Sequence, residues 1–123
     1  MIDWLRSTFL FPGQNSQYVG MGADFYAEYP VSRQVFDQAD DILGFKLTKL
    51  IFEGDKATLN ATINTQPAVY VCSVAMLRAL QQEAPLAKPF LAAGHSLGEL
   101  TALTAGSALS FEDGVRLVRE RGR

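Results

Sequence analysis

Gly94-His95-Ser96-Leu97-Gly98 follows directly on the apolar run Phe90-Leu91-Ala92-Ala93. A G-x-S-x-G pentapeptide between a strand and a helix is the pattern of a nucleophile elbow, in which a sharp turn lifts the serine Oγ out of the sheet. Ser96 is therefore the candidate nucleophile. The flanking glycines have a steric reason: the backbone packs tightly on both sides of such a turn, and a Cβ at Gly94 or Gly98 is expected to clash. The backbone N–H of the following residue, Leu97, is placed to donate to an oxyanion. Covalent chemistry at a carbonyl carbon is what this pattern can do.

The elements around the pentapeptide suit that role. Thr8-Phe9-Leu10-Phe11 reads as a buried strand ending at Pro12-Gly13, and Gly13-Gln14-Asn15-Ser16-Gln17 as the loop after it. Pro30 opens a helix whose apolar residues Val31, Val35, Ala39 and Ile42 recur at helical spacing, and Gly44 closes it. Leu47 to Phe52 reads as a short helical turn interrupted by Gly54. Pro67 is expected to start the next helix, which runs to about Glu83 and is apolar nearly all round from Ala68 to Leu77. Ala84 to Pro89 is a connector and Phe90 to Ala93 the second strand, with a helix from Leu97 to Leu103 behind the elbow. Ser110 and Asp113 resemble a capping box, opening a last helix with Phe111, Val115 and Val118 on one face and Arg119, Arg121 and Arg123 near its end.

Both strands read as buried on both faces, which parallel strands achieve only with neighbours and covering helices. The expected fold class is α/β: an α/β-hydrolase-like parallel sheet core with helices on both faces, of which residues 1–123 form the N-terminal part. Met1 lies only a few residues before the first strand, as expected of a free-standing enzyme rather than a module of a synthase.

Composition narrows the function classes. The chain has 123 residues, 48% hydrophobic and 20% charged, which is the balance of a globular domain. A net charge of −2, with no basic cluster before the last residues, argues against nucleic acid as a partner. The longest apolar stretch is too short for a bilayer, so no membrane association is expected. Cys72 is the single cysteine, set among Val69, Tyr70, Val71 and Val74, and reads as a small buried hydrophobe in a reducing, cytoplasmic protein. No metal-ligand cluster, phosphate loop or dinucleotide fingerprint is present, so no bound cofactor and no metal is expected.

Several segments, in order, carry a family resemblance. Phe11-Pro12-Gly13-Gln14-Asn15-Ser16-Gln17 resembles the F-P-G-Q-G-S-Q opening of malonyl-CoA:acyl carrier protein transacylases. Asn64-Thr65-Gln66-Pro67-Ala68 resembles their x-T-Q-P-A segment, Gly94 to Glu99 their G-H-S-L-G-E elbow, and Glu120-Arg121-Gly122-Arg123 their following R-G segment. The resemblance covers essentially the whole chain and less than half of a typical family member. It implies transfer of a malonyl group from coenzyme A to the phosphopantetheine thiol of acyl carrier protein, in fatty-acid or polyketide synthesis, through an acyl-serine at Ser96. It implies an oxyanion hole from the N–H groups of Gln14 and Leu97, Arg121 as partner of the malonyl carboxylate, and Gln66 beside the same pocket. Malonyl-CoA and acyl carrier protein are then the expected partners.

Plainer roles stand beside these. Gln14 can be a turn residue, Arg121 a solvated helix-end arginine, and Gln66 a helix N-cap before Pro67. His95, the only histidine, is adjacent to Ser96 and points away from it on an elbow, so it shapes the turn or lines the pocket rather than serving as base. Asn15 stands where the family has glycine, and asparagine is the residue that best tolerates a left-handed backbone in its place. The family's base histidine, its inserted ferredoxin-like subdomain and the segments that separate malonyl from methylmalonyl have no counterpart in these 123 residues. A serine without its base is a weak nucleophile, so the chain by itself is expected to be catalytically incompetent or nearly so. Two further readings are a serine hydrolase using the same elbow and a non-catalytic protein that binds a carrier protein or a CoA ester.

Overall fold

The computed structural model describes residues 2–123; Met1 lies outside them. A single 3-10 turn at Trp4–Arg6 precedes strand β1 (Thr8–Phe11). Helices α1 (Ala23–Glu28), α2 (Pro30–Leu43), α3 (Leu47–Glu53), α4 (Lys56–Asn60) and α5 (Thr62–Glu83) follow. Strand β2 (Leu91–Gly94) then leads into α6 (Leu97–Ala105) and α7 (Phe111–Arg121). The two strands pair in parallel, with Phe11 opposite Gly94. Both therefore end at the same level, and the segments leaving them emerge side by side. In open α/β sheets that carboxyl edge is where ligands bind.

The core is helical and centred on α5, which packs against α2, α4, α6 and α7. From Thr65 to Cys72 every residue of α5 is buried, as expected of a helix apolar all round. Phe36, Leu47, Ile51, Tyr70, Val71, Val74, Val115 and Val118 fill the interior. Most polar groups inside it are matched, although the buried Thr101 Oγ1 has no partner among the described residues. Ser32 Oγ donates to the Ala75 carbonyl at 2.7 Å, tying α2 to α5. The Tyr70 hydroxyl and Thr104 Oγ1 share a hydrogen bond of 2.7 Å. Asp40, from α2, accepts the Thr48 N–H at 2.9 Å and so caps α3, whose own N-cap is Lys46 and cannot.

The strands differ from expectation. They are not buried on both faces: Leu10 is 77% and Leu91 56% exposed, and Phe90 just before β2 is 74% exposed. A pair of parallel strands offers two outer edges and two faces, and the helices of this chain cover only part of them. An apolar hollow of about 600 Å³ opens beside β1, between Phe25 and Tyr29 on one side and Met76 and Leu80 on the other.

Helix α5 also begins at Thr62 and not at Pro67, which lies inside it. The Asn64 and Thr65 N–H groups already donate to the Ala61 carbonyl, so a full turn is wound before the proline. Gln66 is consequently an interior helix residue, and its N-cap reading is overturned. The short helices α1 and α4 have no periodic signature long enough to be read from sequence. The N-cap half of the expected capping box is present: Ser110 Oγ accepts the Asp113 N–H at 3.1 Å.

Cys72 is buried, and burial pushes its thiol up to about 11, with the Asp24 carboxylate adding to the rise. Thiolate is the reactive form. Iodoacetamide at pH 8 is therefore expected to leave Cys72 unmodified in the native protein and to label it fully in guanidinium, as intact mass would show. Rapid labelling of the native chain would contradict this burial. No helix among the described residues is long and apolar enough to cross a membrane.

Candidate active site

Ser96 occupies the turn between β2 and α6 with φ 56° and ψ −111°. Positive φ is uncommon outside glycine, and held at a strand-to-helix turn it marks a strained nucleophile elbow. The two glycines make the turn possible. A Cβ on Gly94 would run into the Gly98 carbonyl, and one on Gly98 into the Phe11 carbonyl oxygen. Every one of these obstacles is backbone, so no side chain can swing aside. The side chains of Ser96 and His95 are exposed, whereas Leu97 and Gly98 are buried.

The loop after β1 lies against this elbow. The His95 N–H donates to the Phe11 carbonyl at 3.3 Å, extending the ladder by one bond past the strands. A Cβ on Gly13 would stand 2.6 Å from the His95 carbonyl oxygen, so loop and elbow are in backbone contact. Asn15 adopts φ 85°, the left-handed conformation expected where the family pattern has glycine. Its N–H donates to Gln17 Oε1 at 2.8 Å, and Gln17 Nε2 donates to Asn60 Oδ1 at 2.9 Å, which anchors the loop to α4. Neither the Gln14 N–H nor the Leu97 N–H makes a hydrogen bond among the described residues.

Four side chains from three further segments converge on Ser96. Arg121, at the end of α7, donates from Nη2 to Ser96 Oγ at 2.8 Å and from Nη1 to Gln66 Oε1 at 2.8 Å. Gln66 Nε2 donates to Gln14 Oε1 at 3.1 Å, and Gln14 Nε2 donates to Thr62 Oγ1 at 3.2 Å. The result is a continuous line of hydrogen bonds, Thr62–Gln14–Gln66–Arg121–Ser96, that orients each amide and aims a guanidinium at Ser96 Oγ. Gln14, Gln66, Ser96 and Arg121 are brought together as their residue types suggest. His95 belongs to the elbow, but no hydrogen bond joins it to Ser96 Oγ among the described residues. Thr62 has no signal in the sequence; it reaches Gln14 because α5 starts a turn earlier than its proline implies.

The acyl transferase domain family matches residues 8–123. The chain belongs to that family. Among relatives of this acyl transferase domain, the malonyl CoA-acyl carrier protein transacylase of Bacillus subtilis is 49% identical over 117 residues, which is 95% of this chain and 36% of the relative. The solved structure of the corresponding Streptococcus pneumoniae protein superposes with a TM-score of 0.91 at 47% identity, over 95% of this chain and 37% of that one. A malonyl-transacylase solved in complex with a type II polyketide acyl-carrier protein superposes at 0.90 with 43% identity, over 95% and 38% of the two chains. The chain thus spans little more than a third of the length of the relatives it matches. Its α/β architecture is that of the solved transacylases on which it superposes.

Proposed function

We propose that this chain carries the nucleophile, carboxylate clamp and oxyanion donors of an acyltransferase that moves a malonyl group from coenzyme A to acyl carrier protein in fatty-acid or polyketide synthesis. The observation that carries this reading is Arg121, whose guanidinium bonds Ser96 Oγ and Gln66 at once. A planar fork beside the attacking oxygen suits an acyl group that ends in its own carboxylate. A simple esterase has no use for such a cation. The relatives named above, one of them bound to a carrier protein, support the same donor and acceptor. The reading places the protein in the cytoplasm, where a free Cys72 persists.

In this reaction Ser96 Oγ bonds to the thioester carbonyl carbon and the carbonyl electrons move onto oxygen, where the Gln14 and Leu97 N–H groups hold them. Collapse breaks the C–S bond, and coenzyme A leaves as its thiol with the serine proton. The phosphopantetheine thiol of the carrier then attacks the ester, and Ser96 recovers a proton. Both half-reactions need a base. Among the described residues the partner of Ser96 Oγ is Arg121, which only donates. The 123 residues therefore bind malonyl-CoA without turning it over.

Two measurements test this. Calorimetry is expected to show malonyl-CoA binding more tightly than acetyl-CoA, and equal affinities would remove the clamp. Intact mass after incubation with malonyl-CoA is expected to stay unchanged, and a stoichiometric gain of one malonyl group on Ser96 would show that a base is present after all.

A further inference from the structure

Pro67 lies inside α5 and has no N–H, so the Ile63 carbonyl one turn earlier loses its helical donor. That vacancy is filled from another helix. Arg119 Nη1 donates to the Ile63 carbonyl at 2.9 Å and to Asn64 Oδ1 at 2.9 Å. The guanidinium lies over the Phe45 ring, 4.8 Å from its centroid. Partial burial, and after it the charge of Arg123, lowers the pKa of Arg119, in keeping with a group drawn into the fold rather than solvated at a helix end. On the other side of Arg121, Gly122 meets the same turn of α5: a Cβ there would come within 2.8 Å of the Thr62 carbonyl oxygen and 2.9 Å of Ile63 Cα. The end of α7 is thus seated on the first turn of α5 at two points, residues 119 and 122, that bracket Arg121.

We propose that Arg119 is a positioning residue: it occupies the carbonyl that Pro67 frees and thereby sets the Arg121 guanidinium between Gln66 and Ser96. Arg121 lies between these two anchors, and its long side chain otherwise has many rotamers to choose from. Fixing its backbone against the helix that carries Gln66 turns a flexible cation into a directed one. The proline and the arginine are two halves of one device, although 52 residues separate them (119 − 67). This inference rests on reading Arg121 as the carboxylate clamp.

The test compares malonyl-CoA with acetyl-CoA binding in the wild type and in Arg119→Met, Arg119→Lys and Asn64→Ala. A purely structural role weakens both thioesters alike, whereas a positioning role narrows the preference for malonyl. Arg119→Met is expected to narrow it by roughly fivefold, because misplacing a binding group costs more than its own contacts. Arg119→Lys should restore most of the preference, since an ammonium supplies donors to the same two acceptors. Should Arg119→Met fail to fold, Asn64→Ala, which removes one acceptor only, is expected to narrow the preference by about half as much on a logarithmic scale. A wild-type preference that survives undiminished in both Arg119→Met and Asn64→Ala would overturn this role and leave the clamp standing. Absence of any preference in the wild type would remove the clamp and this inference with it.

Discussion

Arg121→Met is expected to weaken malonyl-CoA binding by about 2 kcal/mol, roughly thirtyfold, while leaving acetyl-CoA binding nearly unchanged. The size follows from the geometry. Hydrogen bonds to a charged group contribute about 1.5–3 kcal/mol each, and a fork can make two. Arg121 is exposed, however, and solvent screens its charge, which pulls the sum toward the lower end of that range. Methionine keeps the unbranched stem and its packing, so the loss reports on the guanidinium. Arg121→Lys should fall between: an ammonium keeps the charge but cannot hold Gln66 and a carboxylate in one plane. Calorimetry at two salt concentrations adds a check, because the malonyl preference should shrink as ionic strength rises. If Arg121→Met lost affinity for both thioesters equally, the clamp would be wrong and the arginine merely part of the scaffold.

The second large effect is on stability. Gly98→Ala is expected to cost about 3 kcal/mol or more, a large share of the ~5–15 kcal/mol that holds a domain folded. Its Cβ would drive into the Phe11 carbonyl oxygen and lie 3.1 Å from that of Pro12. These atoms end β1 and begin the loop that carries Gln14, so relief means separating the loop from the elbow. Gly44→Ala is the control. Gly44 has φ 76° and open space around it, so alanine there costs only the left-handed backbone, about 1–2 kcal/mol. Urea denaturation ranks the two, and a midpoint for Gly98→Ala at or above that of Gly44→Ala would show that the elbow has slack the geometry denies.

Much of the site is legible in the sequence because its demands are local. An elbow needs glycine on both sides of Ser96, whatever surrounds it, and the pentapeptide states this within five residues. The same holds for the Ser110 cap, the Gly44 helix end and Asn15, whose side chain suits a left-handed turn. The character of α5 is legible too, since a helix apolar on every side has to be enclosed.

What the sequence leaves undecided is long-range. Pro67 is a helix starter in most contexts, and nothing local says that Arg119 will supply the donor its ring removes. The error at the start of α5 and the silence about Thr62 have that single cause. The exposure of Leu10 and Leu91 is equally non-local: an apolar strand reads as buried, but burial depends on what other segments cover it. By itself, then, the sequence determined the strand-to-helix turn that presents Ser96 and the residue types gathered around it. Only the tertiary structure decided that Gln14, Gln66 and Arg121 form one hydrogen-bonded line to Ser96. Backbone conformation answers to neighbours a few residues away, whereas the aim of a guanidinium answers to which helix its own helix rests upon.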